Sequence, residues 1–367
     1  MTSSRSFFSR GTVILLIGLS NLAGCASSRT VFTGDAAAAA GSAVVAVLPV
    51  DNLSGGTAPL KVLRQELIDR LKKNGTTVLP DAELDTFMSR HRVRYVGGVD
   101  RGTSEAFRSE TGASAVLVTS LELYNESFPP RIALTARLVA TGGDPRIIRM
   151  ESTAMAGDDR PGILGLGLVR DPRVLRAKAV NRLADALTGR DAGKGEGTTM
   201  RPESLYRSRV LDPARRYSVA VMPFHKTSDR KHAGEILALH FIRELTRFGM
   251  FDVIEPGVVR DDLLRYRIIM EDGVSMADAE VMFKMLQADF LLSGNVNDFE
   301  DRQGSSGAPK VDFSAQLLEQ KSRKVAWGMD SRHTGDDRTW FFDVGKVNTA
   351  SGLAAATVRG AIESFGK

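Results

Sequence analysis

Apolar and polar positions recur along this chain in the same order twice. The first round opens on the apolar run Ala43 to Val50 and the second on Ser218 to Phe224, each with a proline one residue from its end (Pro49, Pro223). A short unbroken apolar run predicts a strand buried on both faces, and the proline marks its exit from the sheet. Leu60, Leu63, Leu67 and Leu71 then fall at three- and four-residue spacing, which predicts an amphipathic helix closed by Gly75 just beyond its last turn. Thr77 to Leu79 and Phe251 to Ile254 predict a short strand. Helices follow near 81–91 and 104–111 in the first round, and near 257–267 and 276–287 in the second. Three strands come next, at roughly 114–124, 131–140 and 146–156, with partners at 289–299, 310–319 and 323–333. Thr141-Gly142-Gly143-Asp144 and Gln320-Lys321-Ser322-Arg323 suit hairpin turns, and an amphipathic helix closes each round.

The two rounds align residue by residue. Ala46-Val47-Leu48-Pro49-Val50 matches Ala220-Val221-Met222-Pro223-Phe224 at an offset of 174, as Leu63, Leu67, Ile68, Leu71 and Gly75 match Leu237, Phe241, Ile242, Leu245 and Gly249. The offset reaches 178 where Gly157-Asp158-Asp159-Arg160 recurs as Gly335-Asp336-Asp337-Arg338, and holds there to the last helix, where Leu175, Val180 and Leu187 meet Leu353, Val358 and Phe365. The chain is a tandem duplication. The order βαβααβββα predicts an α+β fold in two copies, each a three-layer-like domain with a mixed sheet flanked by helices. The copies span 43–189 and 217–367. Between them, 190–216 is rich in Gly, Pro and Arg and reads as a solvated linker.

Ahead of the first copy stand Arg5 and Arg10, the apolar run Thr12 to Leu19, and Leu22-Ala23-Gly24-Cys25. A basic region, a short apolar core and small residues at the cut describe an export signal over 1–24, cleaved between Gly24 and Cys25. The run is too short to span a hydrocarbon core of ~30 Å as a permanent helix. Residues 25–42 are small and mostly polar, with Ala36 to Ala40 an alanine run; they read as a flexible tether reaching at most ~55 Å. Composition is ordinary for a globular chain, 43% hydrophobic and 25% charged. The formal charge is +5, of which the signal's Arg5 and Arg10 supply two. Such a balance, behind an export signal, points away from nucleic acid as a partner.

Leu22-Ala23-Gly24-Cys25 resembles the lipobox of bacterial lipoproteins. The resemblance implies acylation of Cys25, the only cysteine in the chain, so that no disulfide forms and the anchor holds through several acyl chains at ~0.8 kcal/mol per buried CH₂. Ala26, where retention in the inner membrane typically calls for Asp, implies sorting to the outer membrane, facing the periplasm. The opening Val45 to Gly55 (VAVLPVDNLSG), with Leu292 to Phe299 and Val325-Ala326-Trp327 in copy two, resembles the CsgG/LpoB-like envelope lipoproteins, which include the curli secretion channel subunit and activators of penicillin-binding proteins. Copy one departs from that pattern, with Thr119 in place of a Gly and Arg149 in place of the Trp. The resemblance implies a non-catalytic scaffold or assembly factor working with an envelope protein partner, compatible with a homo-oligomer. A subunit of a curli-type channel is the second reading, set back because neither copy has room for membrane-crossing hairpins of nine to eleven residues per strand. An envelope hydrolase with a site hidden from sequence is the third.

Candidate chemistry is sparse. The repeated Gly-Asp-Asp-Arg places Asp158, Asp159, Asp336 and Asp337 in polar loops that read as turns with side chains capping backbone amides. Paired carboxylates suit Ca²⁺, but its six to eight oxygens are not in view, and no metal is expected. Trp340-Phe341-Phe342, against Gly162-Ile163-Leu164 in copy one, is either a core plug or an exposed docking patch. His91, His225, His232, His240 and His333 have no ligand spacing and read as solvated or partly buried. No nucleophile elbow, zinc-protease or phosphate-loop motif is present, and no catalytic residue or cofactor is expected.

Overall fold

The computed structural model describes residues 44–160, 166–190, 198–212, 214–268, 275–302, 307–339 and 345–366. Copy one contains β1 (Val44–Val47), β2 (Asp51–Asn52), α1 (Leu60–Lys73), β3 (Thr77–Val78), α2 (Asp81–Arg90), α3 (Arg101–Ala106), β4 (Ala115–Asn125), β5 (Arg131–Ala140), β6 (Arg146–Ala156) and α4 (Pro172–Leu187). After β7 (Ser204–Arg207), copy two repeats the series: β8 (Tyr217–Val221), β9 (His225–Lys226), α5 (Ala233–Phe248), β10 (Phe251–Val253), α6 (Pro256–Arg265), α7 (Met276–Leu286), β11 (Phe290–Glu300), β12 (Lys310–Glu319), β13 (Val325–Thr334) and α8 (Ala350–Ile362). The architecture is α+β. Two mixed sheets run in the orders β3-β1-β4-β5-β6 and β10-β8-β11-β12-β13-β7, with the short strands β2 and β9 pairing with β4 and β11. The apolar runs that open each copy are parallel to their neighbours on both sides, hence buried on both faces.

Each sheet is covered on two faces. In copy one, Leu63, Leu67, Ile68 and Leu71 of α1 and Leu175, Val180 and Leu183 of α4 pack on Val45, Leu117, Ile132 and Leu134. Leu84, Phe87 and Phe107 cover Ala46, Leu48, Val116 and Val118 on the opposite face. Copy two repeats this with α5 and α8 on one side and α6 and α7 on the other. Gly75 and Gly249 end α1 and α5 at φ +95° and +77°, a left-handed conformation that glycine adopts without cost.

The copies are not two beads on a string. Helices α5 and α8 lie between the sheets, and Leu53 and Met150 of copy one belong to the same apolar cluster as their side chains. Twelve of the sixteen residues of α5 are buried, against four of fourteen in α1. The helix face of copy two thus packs on the sheet face of copy one, a head-to-tail contact that uses a different patch on each side.

The segment expected to be a solvated linker differs from that expectation. Ser204–Arg207 forms β7 on the outer edge of β13, while Met200 and Leu211 are buried in copy two's core. Gly360 of α8 lacks the Cβ that would strike the Met200 carbonyl, so the strap lies directly on the helix. Four residues are too few to show strand periodicity.

Candidate functional site

The polar side chains that the fold gathers lie along the seam between the copies, in two knots. The first is built on Arg137 of β5 and Glu255, which precedes α6; they are 1% and 0% exposed. Arg137 Nε donates to Glu255 Oε2 at 2.9 Å and Nη2 donates to Oε1 at 2.8 Å, a two-pronged pairing, and Nη2 also donates to the Gly97 carbonyl at 2.6 Å. Glu255 Oε1 further accepts from the Val99 amide at 3.3 Å and from Gly257 N at the start of α6. Burial works against the guanidinium charge, yet Glu255 beside it holds the Arg137 pKa above its ordinary value. The backbones cross here: a Cβ on Gly257 would run into the backbone of Val99. Around the pair, burial pushes the Tyr95 hydroxyl up to about 12, and burial with the nearby Glu235 charge raises Asp51. The Arg260 guanidinium lies 4.1 Å from the centre of the Tyr95 ring.

The second knot centres on Glu122. The β4–β5 ladder slips between Leu121 and Leu123, as β11–β12 slips between Val296 and Asp298, and the extra residue of copy one is Glu122. A bulge re-aims a side chain, and this one meets His240 of α5 at 3.3 Å, the two being 1% and 2% exposed. Thr135 Oγ1 donates to Glu122 as well. Burial opposes the carboxylate, but His240 and the hydrogen bonds bring its pKa below the ordinary value. Arg230 of copy two donates to the carbonyls of Glu122 and Ser54. Arg131 donates to the Arg302 carbonyl, and Arg302 donates to Asp158 and, at 3.2 Å, to Asn348 Oδ1. Beside this knot opens a polar cleft of about 910 Å³, lined in part by Ser54, Asn125, Arg230, Asp298, Asp301 and Arg302. Burial raises the Asp301 carboxyl, which also accepts from the Ala350 amide at the start of α8.

The repeated Gly-Asp-Asp-Arg loops have matching geometry. Gly157 and Gly335 donate to the carbonyls of Pro130 and Pro309 and accept from the amides of Val169 and Val347, leaving no space for a Cβ. Asp159 Oδ2 accepts from the Ala156 amide at 2.7 Å, and Asp337 Oδ2 from the Thr334 amide at 3.0 Å. Asp159 Oδ1 also accepts from Asn348 Nδ2 at 3.0 Å, so copy one's loop closes on copy two; burial raises this carboxyl. Asp336 stands 3.4 Å from Lys346. Among the described residues no group of three His, Cys, Asp or Glu side chains is placed to hold a metal ion.

Cys25, Gly24, Ile163, Leu164, Trp340, Phe341 and Phe342 lie outside the described residues. Reasoning from sequence missed the seam. A signal for it existed: α5 carries apolar residues around most of its circumference, while α1 carries a single stripe, and a helix apolar all round is covered all round.

No family model matches the chain, and no curated protein matches it. Among solved structures it is similar to the PelC dodecamer from Paraburkholderia phytofirmans, with 18% identity and a TM-score of 0.32, over 44% of this chain and 94% of that one. It is similar to lipoprotein GNA1162 from Neisseria meningitidis, with 20% identity and a TM-score of 0.30, over 40% and 99%. The LpoB C-terminal domain from Escherichia coli has 13% identity and a TM-score of 0.25, over 32% and 82%. Each likeness takes in less than half of this chain.

Proposed function

We propose that the chain is a non-catalytic lipoprotein of the cell envelope, anchored through Cys25 to the outer membrane and facing the periplasm, where it acts as a scaffold or assembly factor for a secretion or peptidoglycan-synthesis machine. The observation that carries this reading is the Leu22-Ala23-Gly24-Cys25 lipobox placed ahead of two copies of one domain. It is supported by the use made of buried charge: Arg137 with Glu255, Glu122 with His240, and Arg302 with Asp158 are occupied in joining the copies. Two domains packed on each other behind a lipid anchor suit presentation of a surface to a partner.

Affinity purification of the lipidated protein from crosslinked envelopes, beside a Cys25→Ser control, tests the reading. The expected result is recovery of the same envelope protein on repeated purification, lost in the control. Release of peptide or sugar fragments from envelopes by the purified protein, abolished by Asp301→Asn or Glu122→Gln, would overturn it in favour of a hydrolase.

A further inference from the structure

The seven-stranded sheet ends on β7, and among the described residues the outer edge of that strand has no backbone partner. Its inner edge pairs antiparallel with β13, setting Arg207 opposite Trp327, Tyr206 opposite Gly328, Leu205 opposite Met329 and Ser204 opposite Asp330. Ser208 donates its amide to the Ala326 carbonyl at 2.7 Å. Residues of an antiparallel strand turn their N–H and C=O groups alternately to its two sides. Tyr206 therefore bonds inward with Ser208, while Leu205 and Arg207 turn theirs outward. Leu205 and Tyr206 are 46% and 56% exposed, and Gly328 gives the Tyr206 ring no partner directly across β13. An open edge of this kind is a template for another strand.

The edge fits itself. Two β7 strands meeting antiparallel about a two-fold axis have to set outward groups against outward groups, so the axis passes through a residue and never between two. In the middle of β7 that residue is Leu205 or Tyr206. An axis through Leu205 sets Arg201 against Arg209 and calls on the Glu203 amide, which already donates to the Asp330 carbonyl at 3.0 Å. An axis through Tyr206 has neither fault. Leu205 and Arg207 of each molecule then exchange backbone hydrogen bonds with Arg207 and Leu205 of the other. The two Tyr206 residues form a non-hydrogen-bonded pair, the position at which facing side chains come closest. Glu203 faces Arg209 at each end of the ladder, both of them exposed.

We propose that β7 joins two molecules of this chain edge to edge, as a two-fold dimer with Tyr206 on the axis and one sheet running through both. The same patch serves on both sides, so the contact closes at two molecules. It is independent of the head-to-tail contact inside each chain, which uses the other sheet and the helices of copy two. The pairing does not rest on the lipoprotein reading, so the test uses the unlipidated chain.

The full mature chain carrying Cys25→Ser has no cysteine, and one introduced thiol then reports its own neighbour. Tyr206→Cys puts that thiol on the axis, with ~4.5 Å between the two Cα atoms, and forms a disulfide-linked dimer on mild oxidation. Ser204→Cys, exposed on the same side of the same strand, lies ~14 Å from its twin and does not. Sedimentation of the cysteine-free protein shows a mass that climbs toward twice the monomer's as concentration rises. Glu203→Arg sets like charges together at both ends of the ladder and raises the dissociation constant about tenfold, and adding Arg209→Glu restores it. Equal crosslinking of the two cysteine variants, a monomeric mass at every concentration, or a charge swap that fails to restore association would overturn the proposal.

Discussion

Glu255→Ala is the sharpest perturbation the seam offers. It removes a carboxylate that accepts from Arg137 at 2.9 and 2.8 Å and from the Val99 amide, and leaves the guanidinium, 1% exposed, without its counter-charge. Breaking a buried pair from one side costs about 3–5 kcal/mol, because the remaining ion keeps its desolvation penalty and loses its attraction. Arg137→Met alone strands Glu255 in the same way. The pair Arg137→Met with Glu255→Leu removes both penalties and replaces them with apolar volume, so it costs far less than the two single changes combined. Denaturant unfolding of the soluble Cys25→Ser chain beside Arg137→Met, Glu255→Leu and their combination closes the cycle and gives the coupling energy, with Glu255→Ala measured alongside. Because the pair bridges the copies, the wild-type seam makes the block unfold in one transition, and the single variants split it into two or broaden it. A cost below about 1 kcal/mol for Glu255→Ala, with one sharp transition retained, would refute the reasoning.

Gly257→Ala drives a methyl group into the backbone of Val99 and is expected to loosen the seam by ~1–3 kcal/mol, read as new proteolytic cutting between the copies. Asp51 has a folded pKa raised by burial and by Glu235; its contribution is therefore most favourable below its unfolded value near 3.9 and is lost as pH rises through the raised folded value. Asp51→Asn should match the parent in acid and become relatively more stable toward neutral pH; a difference that shrinks with rising pH contradicts the assignment. Cys25→Ser should leave melting unchanged while moving the protein from the membrane to the soluble fraction and abolishing palmitate labelling; a labelled, membrane-bound variant refutes the anchor. For Trp340, proposed with Phe341 and Phe342 as a docking patch, Trp340→Ala should leave melting nearly unchanged and weaken association by ~2 kcal/mol or more. A large drop in melting temperature at unchanged mass would place it in the core, where the substitution costs ~3–5 kcal/mol.

The periodicities located the strands and helices because burial sets them locally: Leu63, Leu67 and Leu71 face a sheet whichever domain lies beyond it. What they could not show was which faces meet. His240 read as an ordinary histidine because nothing near it in sequence is its partner; Glu122 lies 118 positions earlier, at a bulge that breaks the alternation of β4. Arg137 sits in a strand where alternation alone would assign a polar residue to solvent, and only the arrival of Glu255 from the other copy makes that face an interior. The Gly-Asp-Asp-Arg repeat was legible as a pair but not as a device, since its reason is the carbonyls of Val169 and Val347 passing where a Cβ would be.

The same alignment explains why the head-to-tail contact stops after one step. A contact between unlike patches leaves one copy of each patch free and in principle propagates. At the positions matching Leu239, His240 and Arg243 on the buried face of α5, copy one carries Gln65, Glu66 and Asp69. Glu66 is held by Arg176 at 2.8 Å, and on the next turn Arg70 is held by Asp185, so the outer faces of α1 and α4 are latched to each other by charge. Burying that face would strip water from charged groups that gain little in return, whereas α5 offers mainly aliphatic and aromatic surface, with His240 and Arg243 facing Glu122 and Glu151 across the seam. A polar outer face on a terminal unit is how repeat proteins end their stacks. The duplication therefore closes on itself, and any assembly of several chains has to be built on a contact unlike the one that joins the copies.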